Sequence, residues 1–86
     1  MGYRVQFSIS AGRQFEKLDK PVKRRIEGLI ERLESVTDPR TIGDALHGDL
    51  KAHWKYRAGD WRLIVTIHDH VLVIEVIEIA HRSKAY

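Results

Sequence analysis

The sequence predicts an α+β domain: a small, mostly antiparallel sheet in the chain order β-α-α-β-β-β, with two helices packed on one face. Three observations predict it. Residues 3–9 alternate apolar and polar side chains, residues 22–33 repeat apolar side chains at helical spacing, and residues 53–77 alternate again across two turn signals. Period 2 marks a strand with one buried face, and a period near 3.6 marks an amphipathic helix. At 86 residues and 43% apolar content, the expected organisation is one domain over residues 1–86.

The elements follow in order. Tyr3, Val5, Phe7 and Ile9 alternate with Arg4, Gln6 and Ser8 to give the first strand. Ser10 is placed to cap a short helix in which Ala11, Phe15 and Leu18 share a face, although Gly12 lowers its intrinsic propensity. Asp19 offers a second cap, and Pro21 suits the first turn of a longer helix. In that helix Val22, Ile26, Leu29, Ile30 and Leu33 form one apolar stripe. Its outer face interleaves Lys23, Arg24, Arg25 and Arg32 with Glu27, Glu31 and Glu34, so the charges largely cancel and the face reads as solvated. Asp38-Pro39 ends the helix, and a loop through Ile42, Gly43 and Gly48 leads to a meander turned at Ala58-Gly59 and Asp69-His70. The second turn sets Leu63 opposite Val76, Val65 opposite Ile74 and Ile67 opposite Leu72, which makes one apolar face. The last strand is apolar on both sides, which places it inside the sheet, paired in parallel with the first.

Composition excludes several kinds of chemistry. With no cysteine there are no disulfides, thiolate metal sites or cysteine nucleophiles. Any metal would rest on histidine and carboxylate, yet His68 and His70 diverge about a turn, and His47 sits among Asp44 and Asp49 in a loop. No metal and no cofactor is expected. The first residues alternate instead of forming an apolar signal core, and the longest aliphatic run, Val71 to Ile74, is far too short to span a bilayer. The expectation is a soluble cytoplasmic protein with no membrane partner. A net charge of +3 adds a mild preference for anionic ligands.

The arrangement of that charge is more telling. Between His53 and Arg62 the alternation puts Lys55, Arg57 and Arg62 on one face and Trp54, Tyr56 and Trp61 on the other. The aromatic set reads as core. If Ala58-Gly59 is the two-residue loop, Lys55 stands directly opposite Arg62, while Asp60, the acid on that face of the hairpin, is already opposite Arg57. Like charges facing each other destabilise a sheet by about 0.2–1 kcal/mol, and a bound anion relieves them. A solvated cationic face without a partner fits the same charges. On the neighbouring strand Glu75 is expected diagonal to Arg62. The tail from His81 to Tyr86 returns to the first turn and adds Arg82, Lys84, an imidazole and a phenol to its rim.

A phosphodiester calls for this kind of set: cations for the phosphate, a ring to stack on a base, and groups that move protons. RNA supplies its own nucleophile in the 2′-hydroxyl, so its cleavage needs a base, charge stabilisation at phosphorus and an acid at the leaving 5′ oxygen, with no metal in the scheme.

Ala11 to Leu18 with Asp19-Lys20-Pro21-Val22, then Leu46-x-Gly48-x-Leu50, Trp54-x-x-Arg57-x-Gly59-Asp60-x-Arg62 and His81-Arg82-x-x-x-Tyr86, resemble the RelE branch of the RelE/ParE toxin superfamily over nearly the whole chain. The resemblance implies the toxin of a type II toxin-antitoxin pair. It implies a metal-independent endoribonuclease that cuts mRNA in the ribosomal A site, with a cognate RelB-like antitoxin, mRNA and the ribosome as partners. Lys55, Arg62, Arg82 and Tyr86 fall on the branch's site positions. By chemistry Arg62 suits the scissile phosphate, Lys55 charge stabilisation or deprotonation, Arg82 the leaving oxygen and Tyr86 base stacking. His53 stands where some relatives have a second lysine, and His81 precedes Arg82. Either imidazole suits proton transfer, and either equally suits phosphate positioning. Lys51, Arg57 and Lys84 are expected to bind RNA. Some relatives continue beyond the tyrosine, so a carboxylate beside Tyr86 is expected to affect cleavage.

Two other functions fit the same fold. The ParE branch blocks DNA gyrase without cutting nucleic acid, and a non-catalytic module would bind RNA with steep salt dependence. The cluster of Lys55, Arg62, Arg82 and Tyr86 has a defined use on RNA and none in a gyrase binder.

Overall fold

The computed structural model describes residues 2–46 and 53–84. Its elements are β1 (Arg4–Phe7), α1 (Ile9–Glu16), α2 (Lys20–Ser35), a 3-10 turn (Pro39–Thr41), β2 (Asp44–Ala45), β3 (His53–Ala58), β4 (Trp61–His68) and β5 (Val73–His81). The sheet order is β1-β5-β4-β3-β2, with β1 parallel to β5 and the other pairs antiparallel. The α+β class, the element order and the parallel first-to-last pairing agree with the sequence reading. The two-residue edge strand β2 was not expected.

The first helix starts earlier than the sequence suggests. Ser8, not Ser10, is its cap: extended at φ −63°, ψ 165°, its Oγ accepts the Ala11 N–H at 3.1 Å, while its own N–H donates to Val76 O at 2.9 Å. One residue thus ends the β1 ladder and opens the helix. Ile9, expected on the strand, lies in α1 and is 79% exposed. In α2 the apolar stripe is borne out, with Ile26, Leu29 and Leu33 buried and Val22 and Ile30 packed against them. Asp19 holds the N-cap position without a side-chain capping bond, and Pro21 lies in the first turn.

Beneath the helices Tyr56, Leu63, Val65, Ile74 and Val76 form a fully buried layer. Trp54, Tyr56 and Trp61 point into it, as alternation predicts. Tyr56 donates its hydroxyl to Pro39 O at 2.7 Å, and Trp54 Nε1 donates to Ile42 O at 2.6 Å. Gly43 adopts φ +78°, and a Cβ there would strike the Lys55 carbonyl and the Tyr56 and Trp54 rings, so both the backbone and the space call for glycine.

Both turns depart from expectation. The first is Gly59-Asp60, with Ala58 paired to Trp61 and Gly59 at φ +63°. A two-residue hairpin turn of type II′ needs positive φ at its first central position, which glycine adopts freely and Ala58 would not. The slip is two in register, so the faces survive while the partners change. The second turn spans residues 69–72, with His68 paired to Val73 and Leu72 at φ 54°. Leu72 therefore leaves the apolar face. Past Val76 one extra residue, Ile77, bulges from β5, so Leu63 pairs with Ile79 and Ile64 with Glu78.

Asp69 anchors the second turn. Its carboxylate accepts both ends of the Arg40 guanidinium at 3.0 and 3.1 Å and the Tyr3 hydroxyl at 2.6 Å. Arg40 first and Tyr3 second hold its pKa down to about 2 from 3.8. A pKa lowered by folding stabilises the native state above the unfolded value, and that contribution is lost as pH falls through the folded one. Asp69→Asn is expected to flatten the loss of melting temperature between pH 3.8 and about 2. A slope equal to the parent's would show that this carboxylate is not held in solution.

Candidate active site

The face of the sheet away from the helices is where the cations gather. A two-residue turn closes on a hydrogen-bonded pair, Ala58 with Trp61, so the next pair is of the close, non-hydrogen-bonded kind. That pair is Arg57 with Arg62. The like-charge opposition is therefore between these two arginines, about 4.5 Å apart at Cα by strand geometry, and not between Lys55 and Arg62. Lys55 faces Ile64, diagonal to Arg62 on the same side. His53 faces Thr66 one pair further on, half-buried, with its Nδ1 buried and lacking a hydrogen-bond partner among the described residues.

The Gly59-Asp60 turn gathers two arginines. Arg62 Nη1 donates to Gly59 O at 2.9 Å and Trp61 O at 3.0 Å, which folds the side chain back over the turn. Arg82 donates its main-chain N–H to Asp60 O at 2.7 Å, and its Nε lies 3.7 Å from Asp60 Oδ1. Asp60 thus engages Arg82, where Arg57 was the expected partner. Beyond the strand, Lys84 N–H donates to His81 O at 2.8 Å, closing an exposed turn over residues 82–84.

The bulge at Ile77 redistributes the rest of β5 between the faces. With it in place Glu78 and Ala80 share the Arg62 side, whereas Ile79 and His81 turn to the helix side. His81 is thereby removed from the cationic face, where it was expected. Its ring lies edge-on to Trp61 at 5.3 Å, in a crevice of about 240 Å³ lined also by Pro21, Val22, Arg25 and Asp60. Ser83 N–H donates to its Nδ1 at 3.3 Å, so the neutral ring carries its proton on Nε2. Glu75, expected beside Arg62, instead pairs with Thr66 and meets His68 Nε2 at 3.0 Å.

Two acids on this face were missed. Glu78 lies opposite Ile64, diagonal to Arg62, and Asp44 lies opposite Lys55 on β2. For Glu78 the signal was present: Glu75 and Glu78, three apart in one strand, can share a face only across a bulge. Asp44 gave none, because a two-residue strand leaves no periodicity. Around the β3 edge, Asp44 and Arg57 line a cleft of about 430 Å³ with Arg32, Ile42 and Gly43. Lys51 and Tyr86 lie outside the described residues. No cluster of three or more potential metal ligands occurs among the described residues.

The face thus pairs guanidinium forks, suited to bidentate phosphate binding, with carboxylates and a lysine able to take part in proton transfer. The family model described as the ParE toxin of type II toxin-antitoxin systems, parDE, matches residues 5–86. The chain belongs to this toxin family. Several of the proteins it is similar to carry the RelE name. Toxin RelE of Mycobacterium tuberculosis is 29% identical over 85 residues, covering 98% of this chain and 86% of that protein. The RelE–RelB complex of Pyrococcus horikoshii OT3 contains a chain with a TM-score of 0.74 at 28% identity, covering 99% and 100% of the two chains. The RelBE2 toxin-antitoxin complex of M. tuberculosis gives a TM-score of 0.84 at 24% identity, covering 95% and 100%. The chain is accordingly a RelE-type toxin with the RelE-like α+β fold. No helix among the described residues is long and apolar enough to cross a membrane.

Proposed function

We propose that this RelE-type toxin is a metal-independent endoribonuclease that cuts mRNA in the ribosomal A site and so stops translation in the cytoplasm. One observation carries the reading: Arg57 and Arg62 oppose each other on the sheet face away from the helices, with Arg82 drawn to the same turn. Such a concentration of guanidinium is relieved by a phosphodiester. In this reading the whole chain, residues 1–86, is one toxin domain. Arg62 holds the scissile phosphate, Lys55 stabilises the charge that develops on it, and Arg82 donates to the leaving 5′ oxygen. Arg57, Lys51 and Lys84 hold the flanking backbone, and Tyr86 stacks on a base. His53 shares the face with Lys55 and positions RNA there, whereas His81 is turned toward Trp61 and takes no direct part.

The partner is a cognate RelB-like antitoxin. Solved complexes of the relatives pair RelE with RelB, and an acidic or amphipathic segment laid over the arginines would silence the site. The family's ParE description favours a second reading, a gyrase inhibitor without nuclease activity. Induced expression with mapping of mRNA 5′ ends separates the two. Cuts that require translation support the ribonuclease; supercoiling defects with intact mRNA would replace it with the gyrase reading.

A further inference from the structure

Cleavage by the 2′-hydroxyl needs a group that takes its proton, and the sequence offered only imidazoles and lysine for that task. Of the imidazoles, His81 faces the helix side against Trp61, and His53 keeps its Nδ1 buried. A lysine must first lose its own proton, since ammonium groups ordinarily titrate near 10.4. A carboxylate ordinarily titrates near 4.3 and is already a base in neutral solution.

The bulge at Ile77 supplies one. It turns Glu78 onto the face away from the helices, where Lys55 of β3, the buried Ile64 of β4 and Glu78 of β5 form one cross-strand row. Lys55 and Glu78 flank Ile64 with their Cα atoms about 10 Å apart by strand spacing, and Arg62 sits one pair along, diagonal to both. A phosphate on Arg62 and Lys55 would hold its ribose over this row. Bulges serve to re-aim a side chain, and this one brings an acid beside the cations at the cost of a ladder pair.

We propose that Glu78 is the general base of the reaction, an inference that rests on the ribonuclease reading. Its carboxylate takes the 2′-hydroxyl proton as the 2′ oxygen bonds to phosphorus. The bond from phosphorus to the 5′ oxygen breaks, leaving a 2′,3′-cyclic phosphate. The 5′ oxygen departs as an alkoxide stabilised by Arg82 and takes a proton from water, and Glu78 returns its proton to solvent. The charged groups that the strand pairing sets on the same face as Glu78 are Lys55 and Arg57 on β3, Arg62 on β4, Asp44 on β2 and Glu75 on β5, with Arg82 following the end of β5. From α1, Gln14 reaches the Ile79 N–H at 2.8 Å and adds no charge.

The test is the pH–rate profile of mRNA cutting on programmed ribosomes by the intact toxin, its Glu78→Gln variant and a Glu75→Gln control. Glu78→Gln is expected to lower kcat by about 10²-fold or more with KM nearly unchanged, and to flatten the acid limb of the profile. Glu75→Gln keeps both the rate and the limb, and thermal melting of each variant verifies folding. Cutting by Glu78→Gln at the parent rate would overturn the proposal. So would a slower rate with the acid limb intact, the mark of a merely positioning carboxylate. A parent that does not cut at all defeats the ribonuclease reading itself, and the role of Glu78 with it.

Discussion

Arg62→Ala is expected to lower the rate of mRNA cleavage by at least about 10²–10³-fold, the loss usual when a preorganised donor to developing charge is removed. Two of its hydrogen bonds run to main-chain carbonyls of its own turn, so the guanidinium is held in place before any ligand arrives. Its remaining N–H groups meet no hydrogen-bond acceptor among the described residues, which leaves them to a phosphate. Lysine restores the charge but not the fork, so Arg62→Lys should recover only part of the rate. The fold should tolerate both changes. Arg62 is half-exposed, its strand pairing is a main-chain matter, and removing it relieves the opposition of Arg57. Single-turnover cleavage and thermal melting, measured together, check the expectation. A variant that melts early would point to a structural arginine instead.

Tyr56→Ala is expected to do the opposite, abolishing activity by unfolding the chain. Tyr56 is fully buried beneath α2, and truncating a buried aromatic side chain costs about 3–5 kcal/mol. Whole domains of this size are stable by only about 4–13 kcal/mol, at 0.05–0.15 kcal/mol per residue. Its hydroxyl also ties β3 to the 3-10 turn through Pro39 O, leaving a buried acceptor without a partner once removed. Because Lys55 and Arg57 flank it on the opposite face, slack at this position is felt at once by the cations. Urea unfolding measures the loss, and Tyr56→Phe, which keeps the ring, should lose only about 1–3 kcal/mol.

Much of this architecture was legible in the residues because periodicity reports burial. The stripe from Val22 to Leu33, the core-facing Trp54, Tyr56 and Trp61, and the cationic side of β3 and β4 all followed from spacing alone. What escaped was set by single residues that break a period. The preference of Gly59 for positive φ moved the first turn on by one residue and changed which cations oppose, without changing their face. The bulge at Ile77 mattered more, since one unpaired residue exchanges the faces of everything after it. It took His81 from the expected site and brought Glu78 to it. Alternation counted from Val73 cannot foresee that, although the spacing of Glu75 and Glu78 hints at it. Ser8 eluded the reading because one residue both finishes a ladder and caps a helix, and local pattern assigns it only one of these tasks.

The central claim is that the Arg57–Arg62 face serves cleavage by RNA's own 2′ oxygen. The most direct measurement is cutting of ribosome-bound mRNA that carries a single 2′-deoxynucleotide on the 5′ side of the scissile phosphate, in chelator. The account predicts that the all-ribose message is cut and that cleavage at the deoxy position is lost, with neighbouring sites unaffected. Undiminished cleavage at the deoxy position would contradict it.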